Sequence, residues 1–417
     1  MNSELLNTYP KYDSYKDSGV DWLGNVPSDW DVIKLKHLVS IRKRIIGHEG
    51  VSVLSITQKG IKVKDITSGE GQLSMDYSKY QVVDKGDFAM NHMDLLTGYV
   101  DISKFDGVVS PDYRVFTNDS QNADDSYLLK IFQMGYAQKI FFKYGQGVSM
   151  LGRWRLPADN FNEFLVPLPS LEEQEKIISF LNDETAKIDQ AIDLKQQQIE
   201  KLNEYKQIVI QSAVTKGLDS NAQMKNSGVD WIGDIPEHWE TKKLKFLCDF
   251  DTGNKDTVNA IDDGEYPLFV RSPNIEGINE YTHDCEAVLT AGDGAGVGKV
   301  FHYYVGKFCF HQRVYMFNNF KEVSGKYFYL YFSSLFHNVA LDGSAKSTVD
   351  SLRRSMMSNF MFVIPETNEQ EYIVKYIEKV TDAVNLSIKS FKNQIERLKE
   401  YKTILINQAV TGKIKVS

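Results

Sequence analysis

Cysteine is scarce in this chain, with three residues among 417: Cys248, Cys285 and Cys309. Three cysteines outside any metal-binding spacing make neither a disulfide framework nor a zinc site, which excludes the disulfide-rich secreted class and predicts a cytoplasmic protein. No run of roughly eighteen apolar residues occurs, so the sequence predicts no membrane-spanning helix. The first residues, Met1 to Glu4, also lack the charged and apolar regions of a secretory signal.

Motifs for catalysis and for nucleotide binding are missing as well. The glycine-rich segment 292–299 has Asp293 where a phosphate-binding loop needs glycine, and Val300 where that loop needs Ser or Thr. We therefore interpret it as a surface loop with one lysine, of a kind that can follow a DNA backbone. The Glu-Tyr-Lys triplets at 204–206 and 400–402 resemble a nuclease motif but fall on predicted helices without an acidic partner.

The sequence also lacks the residue patterns of metal sites and of methyltransferases. His92, His283 and His302 have no metal-ligand spacing. The sequence contains neither a glycine motif for a methyl donor nor the Asn-Pro-Pro-aromatic motif that adenine methyltransferases carry. We expect no catalytic residue, no cofactor site and no metal site in this chain.

The charge balance argues against nucleic acid at first sight. The formal net charge is −8, whereas nucleic-acid-binding domains are usually basic. Binding requires a basic face and not a basic total, so the net charge predicts that basic partners supply part of the affinity.

What the chain does contain is an internal repeat. The motif Ser-Gly-Val-Asp-Trp-Leu-Gly that begins at Ser18 returns 209 residues later, at Ser227, and twelve of the twenty-three positions in 18–40 and 227–249 are identical. A second repeat begins at Glu173 and returns 196 residues later, at Glu369. Repeated ends around unlike middles predict one scaffold that presents two different globular domains. The predicted bounds are 1–170 for the first domain, 171–217 for a first long helix, 218–366 for the second domain and 367–417 for a second long helix.

Both long segments carry a heptad seam. Apolar residues recur at seven-residue spacing in two interleaved series, which is typical of a coiled coil. The seam residues are Leu181, Ile188, Ile192, Ile199, Leu202 and Val209 in the first helix and Ile377, Val384, Ile388, Ile395, Leu398 and Leu405 in the second. Ser170 with Glu173, and Thr367 with Gln370, have the spacing of a capping box, and glycines at 217 and 412 stand where the helices should end. One helix cannot cover its own seam, so we expect the two to pack antiparallel within the chain.

The middles, 41–165 and 250–362, predict mixed α/β domains of one diverged fold. Short runs of β-branched and aromatic residues alternate with Gly, Asn and Asp turns. A weak similarity pairs Gly86-Asp87 and the run 110–116 with Gly292-Asp293 and the run 311–317. Diverged loops on a shared fold indicate different ligands. The four tryptophans of the repeated motifs, at 22, 30, 231 and 239, are predicted to be packing anchors.

Several basic and polar side chains in these middles are candidates for DNA contact. Arginine can donate two hydrogen bonds to guanine and asparagine can pair with adenine, whereas lysine mainly neutralises phosphate. The alternative for each residue is an ordinary solvated charge. The candidates are Arg42, Lys43, Arg44, Lys59, Lys62, His92, Arg153, Arg155, Arg271, Asn274, Lys299, Arg313, Lys346 and Arg353.

The combination resembles the specificity subunit of type I restriction–modification systems. The resemblance rests on the duplicated motif Ser-Gly-Val-Asp-Trp-(Leu/Ile)-Gly-x-(Val/Ile)-Pro-x-x-Trp, on Val166-Pro167-Leu168-Pro169 before Glu173-Gln174, and on the paired long helices. It covers nearly the whole chain. In the second half Val363-Ile364-Pro365 replaces the fuller Val-Pro-Leu-Pro, so that boundary is less well marked.

The resemblance implies two target-recognition domains, each of which reads one half of a bipartite, asymmetric site in double-stranded DNA. It implies that the helices form the spacer that sets the gap between half-sites. It also implies two modification subunits, which bring S-adenosylmethionine, and two restriction subunits, which use ATP and Mg²⁺. The chain itself would be non-catalytic. One alternative is a coiled-coil scaffold with protein-binding domains. Another is a stand-alone nuclease or methyltransferase, which the missing catalytic motifs disfavour.

Overall fold

The computed structural model describes residues 9–66, 76–147, 154–340 and 352–416. The chain folds as two compact units, the first of residues 1–194 with 393–417 and the second of residues 195–392. Each unit therefore contains one globular domain and a half of each long helix. Two of the candidate residues, Arg153 and Lys346, lie outside the described residues.

The first unit is a small mixed domain whose strands are short. Its strands are β1 (Tyr15–Asp17), β2 (Asn25–Pro27), β3 (Asp31–Lys34), β4 (Val39–Arg42), β5 (Leu54–Thr57), β6 (Gly60–Val63), β7 (Gln81–Val83), β8 (Phe88–Met90), β9 (Val100–Ile102), β10 (Gly107–Val109), β11 (Arg114–Asn118) and β12 (Leu165–Leu168). Its helices are α1 (Asp125–Ala137), α2 (Ile140–Lys143), α3 (Ala158–Asn162) and the first half of α4 (Leu171–Lys216), together with residues 393–410 of the C-terminal long helix.

The core of this unit lies between a four-stranded antiparallel sheet and helix α1. The sheet has the order β4-β11-β8-β9. Phe88 and Phe116 stack on neighbouring strands at 5.0 Å between ring centroids, and Phe132 of α1 meets Phe116 edge-on at 5.2 Å. Burial of these rings supplies much of the hydrophobic stabilisation of the unit.

The second unit repeats this plan with a larger sheet. Its strands are β13 (Met224–Asn226), β14 (Asp234–Pro236), β15 (Glu240–Lys243), β16 (Asp249–Thr252), β17 (Tyr266–Phe269), β18 (Ile275–Ile278), β19 (His283–Ala291), β20 (Phe301–Phe310), β21 (Val314–Asn318) and β22 (Met361–Ile364). Its helices are α5 (Gly325–Leu335), α6 (His337–Ala340), α7 (Arg354–Asn359) and the first half of α8 (Thr367–Val410), with the second half of α4.

The sheet of the second unit has the order β16-β21-β19-β20-β17-β18, and only its β17–β20 pair is parallel among the described strand pairs. Phe317 of β21 and Phe332 of α5 repeat the ring contact of the first unit, at 5.0 Å. The strands that flank the domains also pair in the same register, with Leu165 opposite Lys34 and Met361 opposite Lys243. The prediction of a duplicated mixed α/β fold is confirmed.

The two long helices, of 46 and 44 residues, pair antiparallel. In the second unit Lys195 lies over the ring of Phe391, whereas Lys206 donates to Asn385, so the partner number falls as the α4 number rises. In the first unit the Lys402 ammonium pairs with the Asp189 carboxylate at 2.6 Å. Seven predicted seam residues are buried: Leu181, Ile188, Ile199, Ile377, Val384, Ile395 and Leu405. The other five are half-buried: Ile192, Leu202, Val209, Ile388 and Leu398.

The helix ends agree with the glycine signals. Helix α4 ends at Lys216 before Gly217 and α8 ends at Val410, so residues 411–416 are not helical although the predicted helix ran to 417. Gly217 and Gly412 have φ values of 73° and 69°, which glycine adopts without strain.

The second predicted capping box is wrong. Helix α8 begins at Thr367, so Glu366 and not Thr367 precedes it. The Gln370 amide instead donates to the carbonyls of Glu322 and Pro365, and its oxygen accepts the Ser324 amide, at 2.7, 3.0 and 2.9 Å. Because this side chain is committed to the globular domain, it cannot reach back to cap its own helix.

Candidate nucleic-acid interface

One loop occupies the same position in both units. Residues 91–98 follow β8 and residues 292–299 follow β19. Arg114 of β11 lies opposite Met90, and Tyr315 of β21 lies opposite Thr290, so the strands correspond in register. The loops are also held alike, because the Leu156 amide donates to His92 O at 2.9 Å and the Leu352 amide donates to Gly292 O at 2.8 Å.

This register corrects the weak similarity drawn from the sequence. Gly86-Asp87 precedes strand β8, whereas Gly292-Asp293 follows β19. His92, and not Gly86, therefore corresponds to Gly292. A short glycine–aspartate pair recurs too easily to define an alignment when the loops around it differ in length.

In the second unit the loop is organised by one carboxylate. Asp293 accepts from Arg271 Nη1 at 2.8 Å and from Arg313 Nη1 at 2.9 Å. The Asp293 side chain is 18% exposed, but those of Arg271 and Arg313 are 41% and 58% exposed. Both guanidinium groups are thus oriented by the carboxylate while their remaining donors face solvent, which is the arrangement that base or phosphate contact requires.

Glycine permits this loop to lie against the arginine. A Cβ atom on Gly296 would clash with the backbone carbonyl of Arg271, and Gly294 has φ of 74°. The glycine-rich segment is therefore explained by close packing and backbone conformation. A nucleotide-binding role is not needed to account for it.

Three further candidates of the second unit lie around the same loop. Lys299 is exposed at its end, and Arg353 is exposed next to Leu352, whose amide holds Gly292. Asn274 is exposed in the turn after Arg271, where its backbone amide donates to Ser272 Oγ at 3.2 Å. Five predicted residues thus converge on one surface, which we call the 292–299 surface: Arg271, Asn274, Lys299, Arg313 and Arg353.

A buried histidine supports this surface from below. His311 Nδ1 accepts the backbone amide of Arg313 at 2.9 Å. Burial lowers the pKa of His311 below its usual range; nearby Asp256 opposes this shift, and Arg271 and Arg313 add to it. The neutral ring acts as an acceptor that orients Arg313 and adds no charge to the surface.

In the first unit the corresponding loop carries His92. Burial lowers the pKa of His92 to about 4, and Arg114 and Arg155 add to the effect, so the ring is neutral at pH 7. Its Nδ1 is buried and has no hydrogen-bond partner in the described part of the chain. Arg155 is exposed beside it and exchanges two backbone hydrogen bonds with Gln146.

The β5–β6 hairpin adds lysines to this side of the first unit. Gln58 in its turn donates to Thr97 O of the loop at 3.4 Å, and the Ile61 amide donates to Asp101 at 3.2 Å. Lys59 is therefore exposed next to the 91–98 loop, and Lys62 is exposed on β6. We call Lys59, His92 and Arg155 with the 91–98 loop the 91–98 surface.

The remaining candidates of the first unit are engaged elsewhere. Arg42 donates to Thr117 and to Asp119, at 2.9 and 2.8 Å. Arg44 pairs with Asp84 at 2.5 Å and with the buried Asp87. Lys43 is exposed between them. The two arginines have partners within the first unit, so the sequence cluster 42–44 separates into three ion pairs and one solvated lysine.

Two residues that organise these surfaces are not among the sequence-predicted candidates: Asp293, which the sequence places only in a failed nucleotide motif and a weak similarity, and Arg114, which it places only in that similarity. An arginine among apolar strand residues, as in Tyr113-Arg114-Val115-Phe116, is a usable signal because it is buried whenever it lies on the core face of the strand. The pairing of Asp293 with Arg271, 22 residues away, leaves no such local signal.

Features of other site types are scarce in the described part of the chain. None of the His, Cys, Asp and Glu residues described there form a group of three that could hold a metal ion. Cys248, Cys285 and Cys309 are free thiols. None of the described helices combines the length and apolar character needed to cross a membrane.

Comparison with known proteins agrees with this geometry. The chain is 23% identical to the MjaVIII type I restriction enzyme specificity subunit of Methanocaldococcus jannaschii, over 94% of each chain. Its fold is similar to a chain in a structure of a type I R-M system that addresses complex assembly, with TM-score 0.65, 14% identity and coverage of 92% of this chain and 98% of that one. It is also similar to the HsdS subunit from Thermoanaerobacter tengcongensis, with TM-score 0.50, 14% identity and coverage of 93% and 98%.

The family comparison covers most of the sequence. Residues 27–204 and 236–397 each match the type I restriction modification DNA specificity domain. The two matches correspond to the two halves of the internal repeat. The chain therefore belongs to the type I restriction–modification specificity family, as a non-catalytic subunit that recognises the DNA target.

Proposed function

We propose that each unit reads one half of a bipartite, asymmetric site in double-stranded DNA, with residues 41–165 as the first reader and 250–362 as the second. One observation carries the proposal. The same loop, after the same strand and tied by the same backbone hydrogen bond, lies beside exposed basic side chains in both units, but those side chains differ: Lys59 and Arg155 in the first, Arg271 and Arg313 in the second. A shared frame with unlike reading residues is what two unlike half-sites require.

The two surfaces suggest a division of labour among residues. Arg271 and Arg313, oriented by Asp293, are suited to bidentate contact with guanine, and Asn274 is suited to adenine. Lys299, Lys59 and Lys62 are suited to phosphate. Arg155 and Arg353 lie at the margins of the two surfaces, where they can contact either the backbone or a base.

The partners follow from the family. DNA and the other subunits of the restriction–modification complex are the expected partners. We infer two modification subunits that bring S-adenosylmethionine and methylate adenine, and two restriction subunits that use ATP and Mg²⁺. With a net charge of −8, this chain depends on those subunits for part of its DNA affinity. Its substrate, cellular DNA, would place the chain in the cytoplasm.

A methylome tests the proposal. The chain is co-expressed with its modification subunit in a host without DNA methylation of its own, and methyladenine is mapped by long-read sequencing. We expect one new bipartite motif with methyladenine in both halves. Residues 41–165 are then replaced by the corresponding segment of a relative with another specificity.

The exchange should change one half of the motif and leave the other half unaltered. The reciprocal exchange of 250–362 serves as the matched control and should change only the other half. A motif that keeps both halves after each exchange, in a complex that still methylates DNA, would contradict the assignment of the readers.

A further inference from the structure

Arg114 is a buried charge that pairs with none of the described carboxylates, and its residue is 5% exposed. Nη2 donates to Leu156 O at 2.9 Å, and the guanidinium carbon lies 4.7 Å from the centre of the Phe161 ring. Nη1 is buried and has no hydrogen-bond partner among the residues that the structure describes. Burial lowers the pKa of Arg114 to about 10. A buried unpaired cation destabilises a fold, so its presence requires another reason.

Arg114 is connected to the 91–98 loop through Leu156. Leu156 accepts from Arg114 through its carbonyl and donates to His92 O through its amide. Asn91 O, at the start of the loop, accepts the Tyr136 hydroxyl at 2.7 Å. The loop is closed by Gly98, whose amide donates to Asp94 O and whose Cβ, if present, would clash with that carbonyl. The loop is thus attached to the core at each end.

The second unit shows that the scaffold itself does not need this arginine. Tyr315 occupies the position of Arg114 by strand register, and the Leu352 amide still holds Gly292 O at 2.8 Å. There the positive groups of the loop are compensated by Asp293. In the first unit His92, Arg114 and Arg155 lie close enough for Arg114 and Arg155 to lower the pKa of His92. The first unit therefore differs from the second in having, behind this loop, a buried arginine that pairs with none of the described carboxylates.

We propose that Arg114 is a positioning residue for recognition of the first half-site. It holds the Leu156–His92 connection and places a fixed positive charge behind His92 and Arg155, on the side that meets the DNA backbone. The inference rests on the proposed function, since it presumes that the first unit reads DNA.

The test compares stability with discrimination. Arg114→Met keeps the length and apolar packing of the side chain and removes its charge and donors. The variant is prepared in complex with the modification subunit. Its affinity is measured for three duplexes: the recognised site, that site with the first half altered, and that site with the second half altered.

We expect the midpoint of thermal unfolding to stay the same or rise, because an unpaired buried cation has been removed. Discrimination against the altered first half should fall about tenfold, and discrimination against the altered second half should not change. Arg114→Lys, which keeps the charge and one donor, should recover part of the loss. Arg397→Met makes the same chemical change at an exposed position of α8 and should alter neither ratio.

Two results would overturn the inference. One is an Arg114→Met complex that discriminates both halves as the wild type does. The other is a lower unfolding midpoint with equal loss at both halves, which would make Arg114 an ordinary structural residue. Either result leaves the proposed function standing, because that depends on the exchange of 41–165. If the exchange itself leaves the motif unaltered, the proposed function fails and the inference fails with it.

Discussion

Gln174 and Gln370 make the same three hydrogen bonds in the two units, whereas the 91–98 and 292–299 surfaces share a position but not their ion pairs. Gln174 donates to Asn122 O and Pro169 O and accepts the Asp124 amide, at 2.9, 2.8 and 2.7 Å. Gln370 repeats this with Glu322, Pro365 and Ser324. Both glutamines are buried, and each joins the start of a long helix to the start of a domain helix.

Two buried tyrosines also make corresponding hydrogen bonds in the two units. Tyr127 donates to Val410 O and Pro167 O at 3.1 and 3.2 Å, and Tyr327 donates to Val214 O and Val363 O, both at 3.0 Å. Buried polar contacts are repeated because any change in them leaves an unpaired group. The exposed loops are under no such constraint. In the second unit Asp293 pairs with both Arg271 and Arg313, whereas in the first unit Arg114 and Arg155 pair with none of the described carboxylates.

The largest effect should come from removing the shared glutamines. Gln174→Leu and Gln370→Leu each remove hydrogen bonds from one buried and two partly buried backbone groups, which we expect to lower the free energy of unfolding by about 3 kcal/mol in each case. Chemical denaturation of the two variants measures this. Gln198→Leu, at an exposed position of α4, is the control and should change little. Clearly different losses of unfolding free energy in Gln174→Leu and Gln370→Leu would show that the two glutamines do not stabilise the two units equally.

Next comes the carboxylate of the second surface. Asp293→Asn removes the charge that orients Arg271 and Arg313, so discrimination against an altered second half-site should fall about tenfold. Loss of a negative charge should at the same time strengthen salt-dependent, non-specific binding. Competition binding at two salt concentrations separates these effects. Exposed Asp262→Asn makes the same charge change and is the control. A similar loss of discrimination in that variant would show that the loss comes from net charge and not from the contacts of Asp293 with the two arginines.

A smaller effect is expected for the tyrosine hydroxyls. Tyr127→Phe and Tyr327→Phe each remove one buried donor from two carbonyls and should lower the free energy of unfolding by about 1–2 kcal/mol. The same denaturation measurement applies, with exposed Tyr205→Phe as the control. No loss in one of the buried pair would mean that the two contacts are not equivalent in strength.

The smallest expected effect is a pH dependence of stability that comes from the 91–98 loop only. The first unit has His92 at the position where the second unit has Gly292. The pKa of His92 is about 4 in the folded chain and about 6.5 when unfolded, so the unfolded state takes up the proton first. Stability is therefore complete above about pH 6.5 and is lost as the pH falls toward 4. Between pH 7 and 5 the wild type should lose on the order of 1 kcal/mol more than His92→Gln.

Urea denaturation at the two pH values tests this expectation. The buried histidines of the second unit are common to both proteins, so their contribution cancels in the comparison. Exposed His48→Gln is the control, and its pH dependence should match that of the wild type. Equal pH dependence in the wild type and His92→Gln would contradict a buried neutral His92.

Much of the architecture was predictable because its signals are local or periodic. The repeated motifs at 18–40 and 227–249, the heptad seam from Leu181 to Val209 and the glycines after the helices depend on neighbours within a few turns of chain. The tryptophan prediction also agrees with the packing: Trp30 and Trp239 are buried, and Trp22 and Trp231 stack on Phe164 and Phe360.

The sequence by itself determined the duplication, the two long helices, the mixed α/β class and the family, because repeats and periodicity can be recognised from the order of the residues alone. Only the tertiary structure decided that His92 corresponds to Gly292, that Asp293 joins Arg271 to Arg313, that Arg42 and Arg44 have internal partners, and that Arg114 is buried without one. The physical reason is that ion pairing and burial depend on which strands become neighbours. That pairing brings together residues whose separation along the chain carries no periodic signal.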